Sequence, residues 1–193
     1  MKNVFLIGDS IRVGADGSPG YEVFVREALR GKATVFSSQE NSRFAEYTLR
    51  GLFEWAREVD GGAIDIVHWN NGLWDLLRLD GDEPLTPLPV YLAFLERIYR
   101  KLRLYFPQAR IIFALTTPVL EERCDGCFRR YNSEICTYNA AAAALLTALG
   151  AEIDDLYRAA QALPEEAYAG AVHFTEEGCR VLAEAVVRAL RVD

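Results

Sequence analysis

Histidine and cysteine are scarce in this chain, basic residues are outnumbered, and no apolar run is long. Each shortage removes a class of function. Four cysteines in 193 residues are too few for the disulfide framework of a small secreted domain. Lys plus Arg total 21 against 28 for Asp plus Glu, a formal charge of −7. Without a basic cluster, that balance argues against nucleic acid or an anionic membrane as the main partner. The longest apolar stretches fall well short of the ~18 residues of a membrane span. After Met1 and Lys2 the apolar run 4–7 ends at once in Gly8-Asp9-Ser10, which is not the form of a signal peptide. The expected setting is cytoplasmic with reduced thiols, unless a leader has been removed. No G-x-x-x-x-G-K-[ST] is present, and Gly14, Gly17 and Gly20 match a phosphate loop only loosely, so NTPase chemistry is not expected.

What is present is the balance of an ordinary globule, 51% hydrophobic and 25% charged. The length suits one domain over 1–193, and no repeat, low-complexity tract or linker divides it. Short apolar runs at 3–7, 33–36, 64–69 and 110–115 read as strands, with a short fifth at 152–153. Between them, helical spacing covers 21–30, 44–59, 90–105 and 132–149. Gly31, Gly61-Gly62, Pro107 and Gly150 act as stops. A loop fills 116–129. Thr175 is placed to cap a last helix, with Glu176 and Glu177 in its first turn. Strands alternating with helices indicate an α/β fold on a parallel sheet.

In such a sheet the ligand site lies beyond the carboxyl ends of the strands. Those ends deliver Gly8-Asp9-Ser10, Gln39 to Arg43, Trp69-Asn70-Asn71-Gly72 and Thr116-Thr117-Pro118, and His173 precedes the last helix. Ser10 reads either as a nucleophile or as a cap for the next segment. A serine hydroxyl needs a base to take its proton, and of the two histidines, His173 sits in the loop suited to that task. Asn70 and Asn71 offer amide donors for an oxyanion, or one of them makes the turn before Gly72.

These segments, in this order, resemble the blocks of the SGNH (GDSL-type) hydrolases, bacterial esterases and acylhydrolases. Gly8-Asp9-Ser10-Ile11 matches the first block, Asn41-Ser42-Arg43 falls at the second, His68 to Asp75 resembles the third, and Val172 to Gly178 the last. The resemblance implies a three-layer flavodoxin-like sandwich with a five-stranded parallel sheet of strand order 2-1-3-4-5. It implies Ser10 as nucleophile and His173 as general base, with no cofactor and no metal. The oxyanion donors would be the Ser10 N–H, a second-block N–H at Ser42, and Asn70 or Asn71, with Asn70 ending its strand more directly.

Two positions depart from that pattern. Ser42 stands where a glycine is usual, so a left-handed φ there would be costly. Gly170 stands where an Asp three residues before the histidine is usual, and losing that carboxylate can cost up to ~10⁴ in kcat. Asp154 and Asp155 are the candidates to orient His173 instead, or else they cap the helix that begins near Leu156. Asp9, which supports the nucleophile turn, Arg12, Asn41, Arg43 and Trp74 are the candidates for substrate contact. Arg12 and Arg43 suit an anionic group; Trp69, Trp74, Tyr131 and Tyr138 suit sugar stacking. Cys124-x-x-Cys127 with Cys136 makes an incomplete zinc set.

The expected function is a serine esterase removing acetyl or another short acyl group from a small-molecule or oligosaccharide ester. The carbohydrate substrate follows from the resemblance alone. One alternative is a degenerate member that binds a glycan or acyl metabolite without turnover, prompted by Gly170. Another is a flavodoxin-like flavin or phosphate binder, prompted by fold class alone.

Overall fold

The computed structural model describes residues 1–15 and 17–192. Strands β1 (Lys2–Ile7), β2 (Ala33–Ser37), β3 (Ile66–Asn70), β5 (Arg110–Ala114) and β7 (Glu152–Asp154) form one sheet in the order β2-β1-β3-β5-β7. Every neighbouring pair is parallel. Counting those five in chain order gives 2-1-3-4-5, as expected. The interior strand β1 shows why a continuous apolar run is its signature: Val4, Phe5, Leu6 and Ile7 are all buried, because helices cover both faces. Burying each such side chain contributes about 1.5–3 kcal/mol.

The helices are α1 (Ser10–Val13), α2 (Glu22–Ala28), α3 (Ala45–Trp55), α4 (Leu88–Tyr105), α5 (Asn132–Leu149), α6 (Leu156–Gln161) and α7 (Glu176–Leu190). α3, α4 and α5 pack side by side in one layer, and α2, α7 and α6 in the other. α5 closes on Gly150 at φ 98°, a left-handed cap that glycine adopts without strain. α4 starts earlier than expected because Pro89 falls in its first turn, where a missing N–H costs nothing. α3 ends earlier than expected: the Arg57 N–H turns back to Glu54 O at 2.9 Å, tightening the last turn into 3₁₀ form. Thr175 caps α7, its side chain accepting from the Gly178 N–H.

Two short elements have no visible sequence pattern. β4 (Arg78–Leu79) pairs antiparallel with β6 (Phe128–Arg129), so the loop after β5 is stitched to the loop after β3. Two residues are too few to show an alternation. The four cysteines are free. Among the described residues no group of three or more His, Cys, Asp or Glu is placed to hold a metal ion, and no helix is long and apolar enough to cross a membrane.

Candidate active site

β1 ends just before Gly8, and α1 begins two residues later. Asp9 is the cap: its Oδ1 accepts from the Ile11 N–H at 2.9 Å, and its carbonyl accepts from Arg12 and Val13. Because Asp9 caps, Ser10 does not have to. Its hydroxyl instead meets His173, with Ser10 Oγ 2.9 Å from His173 Nε2, although 163 positions separate the two in the chain. The loop carrying His173 is held by its own backbone: the Ala169 N–H donates to His173 O at 2.8 Å. The Leu120 N–H donates to Ala171 O at 2.8 Å, and the Tyr168 and Phe174 rings pack 4.6 Å apart.

The two asparagines have different occupations. Asn71 is fully buried and fully used: Oδ1 accepts from Trp69 Nε1, and Nδ2 donates to Arg43 O and Thr48 Oγ1. Asn70 is 8% exposed and donates one bond, to Ala114 O at 3.2 Å. An amide nitrogen carries two hydrogens, so Asn70 keeps one donor for the rim. Gly72 follows with φ 147°, and a Cβ there would sit 1.9 Å from Thr116 Oγ1. Only glycine fits.

Asp75 organises the other side of this loop. Both of its carboxylate oxygens accept from the Ala45 N–H, at 3.0 and 3.2 Å, which fixes the start of α3. Burial pushes its carboxyl up to about 7 against that bond and one from Thr86. Asn132 and Asn139, two turns apart on α5, clamp the loop after β5 by reciprocal bonds to Val119 and Thr116. Each side-chain amide pairs with a backbone as a neighbouring strand would.

Several expectations are corrected by this geometry. The Ser42 N–H is spent on Gly8 O at 3.1 Å, so it is not a donor to the rim. The left-handed residue of that loop is Arg43, at φ 48°, whose N–H is held by Asn41 Oδ1 at 2.8 Å. Arg12 is not a substrate anchor. It is buried, paired with Glu22, and its remaining nitrogens donate to Gly8 O, Ser38 and Glu40 O. Asp154 does not hydrogen-bond His173; its Oδ2 lies 2.9 Å from Nε2 of His68 inside the core. Asp155 caps α6 through the Arg158 N–H at 2.9 Å.

Of the aromatic candidates, Trp69 packs edge-on against Phe113 and Tyr138 donates to Thr86 O. Both are core, while Trp74 and Tyr131 are half-buried. Sequence reasoning assigns no role to Asp75 or to the buried Arg130, whose Nε donates to Leu73 O.

A hydroxyl hydrogen-bonded to an imidazole, with an amide donor at the adjacent strand end, is an arrangement able to carry out acyl transfer. No protein-family model matches the chain, and no curated protein matches it. Solved structures do. A lipase/acylhydrolase from Enterococcus faecalis aligns over 98% of this chain and 95% of its own, with TM-score 0.77 and 20% identity. The acetyl xylan esterase AlAXEase aligns over 97% and 99%, with TM-score 0.76 and 16% identity. A family 3 carbohydrate esterase of Clostridium thermocellum aligns over 98% of both chains, with TM-score 0.70 and 15% identity. At these identities it is the architecture that is shared: the chain has the SGNH-hydrolase fold of the GDSL-type lipases, acylhydrolases and esterases.

Proposed function

We propose that this protein is a serine esterase, hydrolysing short-chain acyl esters, acetyl foremost, on carbohydrates. The observation that carries the reading is the 2.9 Å contact between Ser10 Oγ and His173 Nε2 at the carboxyl edge of the sheet. Ser10 Oγ attacks the ester carbonyl carbon while His173 Nε2 takes its proton. The tetrahedral oxyanion is held by the free hydrogen of Asn70 Nδ2 and by the Ser10 N–H. The Arg43 N–H becomes a third donor if Asn41 turns away from it. Collapse expels the alcohol, which leaves with the proton from His173, and water then releases the acyl group by the same route in reverse.

The compact length, 193 residues without a long apolar insertion in the sequence, speaks against long-chain lipids and so supports a short acyl group. The carbohydrate leaving group follows from fold relatives that are an acetyl xylan esterase and a carbohydrate esterase. A second reading is favoured by Gly170, which supplies no carboxylate three residues before His173: a protein that binds a glycan or acyl metabolite without turnover. Hydrolysis of p-nitrophenyl acetate by the wild type, lost in Ser10→Ala, supports the esterase. Equal rates in both proteins would refute it.

A further inference from the structure

We infer that Tyr91 and Thr116 are positioning residues for the oxyanion donor Asn70, acting through one backbone carbonyl, that of Asn71. The inference rests on the esterase reading for its catalytic consequence, and on hydrogen-bond geometry for its substance. Asn70 is the last residue of β3, in register with Ala114, the last residue of β5. Up to that pair the parallel ladder holds the chain. One residue further, the Asn71 carbonyl accepts from Tyr91 OH at 2.9 Å and from Thr116 Oγ1 at 3.1 Å. A carbonyl oxygen has two lone pairs, and two hydroxyls fill them. Tyr91, Thr116 and Asn71 are all buried.

The two donors come from different elements, Tyr91 from α4 and Thr116 from the loop after β5. Both are backed by α5. Asn139 grips the Thr116 backbone, its Oδ1 accepting from the N–H at 2.9 Å and its Nδ2 donating to the carbonyl at 2.8 Å. The Tyr91 ring packs 5.2 Å from that of Tyr138, whose hydroxyl is itself fixed on Thr86 O at 2.9 Å. Gly72 completes the arrangement. Lacking the Cβ that would fall 1.9 Å from Thr116 Oγ1, it lets the chain come within reach of that hydroxyl.

A single hydrogen bond would satisfy a buried carbonyl. The second, from another direction, adds orientation. Because the peptide is planar, holding Asn71 O fixes the plane that leads from Asn71 into Gly72. Asn70 is then held by the ladder on one side and by this plane on the other. One hydrogen of its amide is committed to Ala114 O at 3.2 Å, so the aim of the other follows from where the backbone sits. A catalytic group displaced by about 1 Å can cost about 10² in rate. Removing the Asn71 side chain leaves the Asn71 carbonyl and both hydroxyls in place, so the clamp does not depend on that side chain.

Tyr91→Phe and Thr116→Val each remove one hydroxyl and nearly keep the shape. The test measures kcat and KM for p-nitrophenyl acetate, thermal melting, and NMR of the Asn70 side-chain amide, assigned by its absence in Asn70→Ala. Each single variant should lose about 10-fold in kcat and the double about 10²-fold, with KM within about twofold, a signature of lost transition-state interaction. The Asn70 amide signals should shift in both variants. Thr116→Ser, which keeps the hydroxyl, should restore kcat. In the Asn70→Ala background Thr116→Val should change kcat less than about twofold, because the group it positions is gone.

A folded double variant with wild-type kcat and unmoved Asn70 signals overturns the inference. So does an equal fractional loss with and without Asn70, which would make the effect a general structural one, or a raised KM at constant kcat. Should Thr116→Val not fold, Tyr91→Phe with and without Asn70 makes the same comparison. If the wild type shows no Ser10-dependent hydrolysis while the Asn70 signals still respond to loss of either hydroxyl, the esterase reading fails and the carbonyl clamp stands.

Discussion

Asp154 Oδ2 lies 2.9 Å from His68 Nε2 in the protein core, joining β7 to β3 across the intervening strand β5. The carboxylate at the end of β7 is thus committed beneath the rim and away from the histidine of the site. Asp154→Ala should cost about 1–3 kcal/mol by leaving a buried imidazole nitrogen without its partner. The rate per folded molecule should stay within about twofold of wild type, since a misplaced catalytic group would cost far more. Denaturant unfolding and active-site titration check the two halves, and a large loss of rate at unchanged stability would contradict this assignment.

The two adjacent asparagines should separate cleanly. Asn70→Ala removes the amide with a free hydrogen, and loss of one oxyanion donor costs about 10²–10³ in kcat with little change in melting temperature. Asn71→Ala removes bonds to Trp69, Arg43 and Thr48, so the loss should be one of stability, about 2–3 kcal/mol. Paired thermal melts and steady-state kinetics of the two variants read this directly. The reverse pattern would exchange the roles.

Gly72→Ala should be among the most damaging small substitutions in the chain. Its Cβ would meet Thr116 Oγ1 at 1.9 Å on a backbone at φ 147°, and strained backbone alone costs about 1–3 kcal/mol. Adding Thr116→Ala removes the oxygen but not the strain, so the double variant should recover only part of the loss. Urea unfolding midpoints of the single and double variants measure both.

Stability should fall as pH rises from about 4 to about 7. Burial raises the Asp75 carboxyl from its ordinary 3.8 to about 7, so across that window the native state keeps a proton that the unfolded chain has released. The unfolded state therefore binds fewer protons and gains on the native state as pH rises, with no further change above about 7. The effect should be on the order of 4 kcal/mol, with Asp9, raised to about 6, adding in the same direction. Asp75→Asn should flatten the profile; an equally steep one in that variant would rule out Asp75 as its source.

Much of the fold and part of the site are legible in the sequence, for identifiable reasons. A strand covered on both faces leaves a continuous apolar run, so β1 is visible in Val4 to Ile7, and a parallel sheet sends every strand end to one edge. That rule brings Ser10, Asn70 and Thr116 to one rim, while His173 is placed there by the resemblance, from the loop before α7. It misleads at Asp154, because a strand end at the rim does not say which way the side chain turns. It misleads by one residue at Ser42: arginine rarely adopts a left-handed φ, so nothing marks Arg43 as the special position. Arginines are opaque altogether. Arg12 and Arg130 look like surface charges in sequence, and their burial depends on Ser38 and Leu73, which come near only on folding. The pair β4 and β6, two residues each, is below the length at which periodicity exists.

The account depends on Ser10 being a nucleophile activated by His173, and covalent labelling tests this most directly. Wild type, Ser10→Ala and His173→Ala, each shown to be folded by thermal melting, are treated with a fluorophosphonate probe and read by intact-mass and peptide mass spectrometry. The account predicts one adduct per chain on the Ser10 peptide of the wild type, none in Ser10→Ala, and much slower labelling in His173→Ala. A folded wild type that takes up no probe, or takes it up elsewhere, would contradict it.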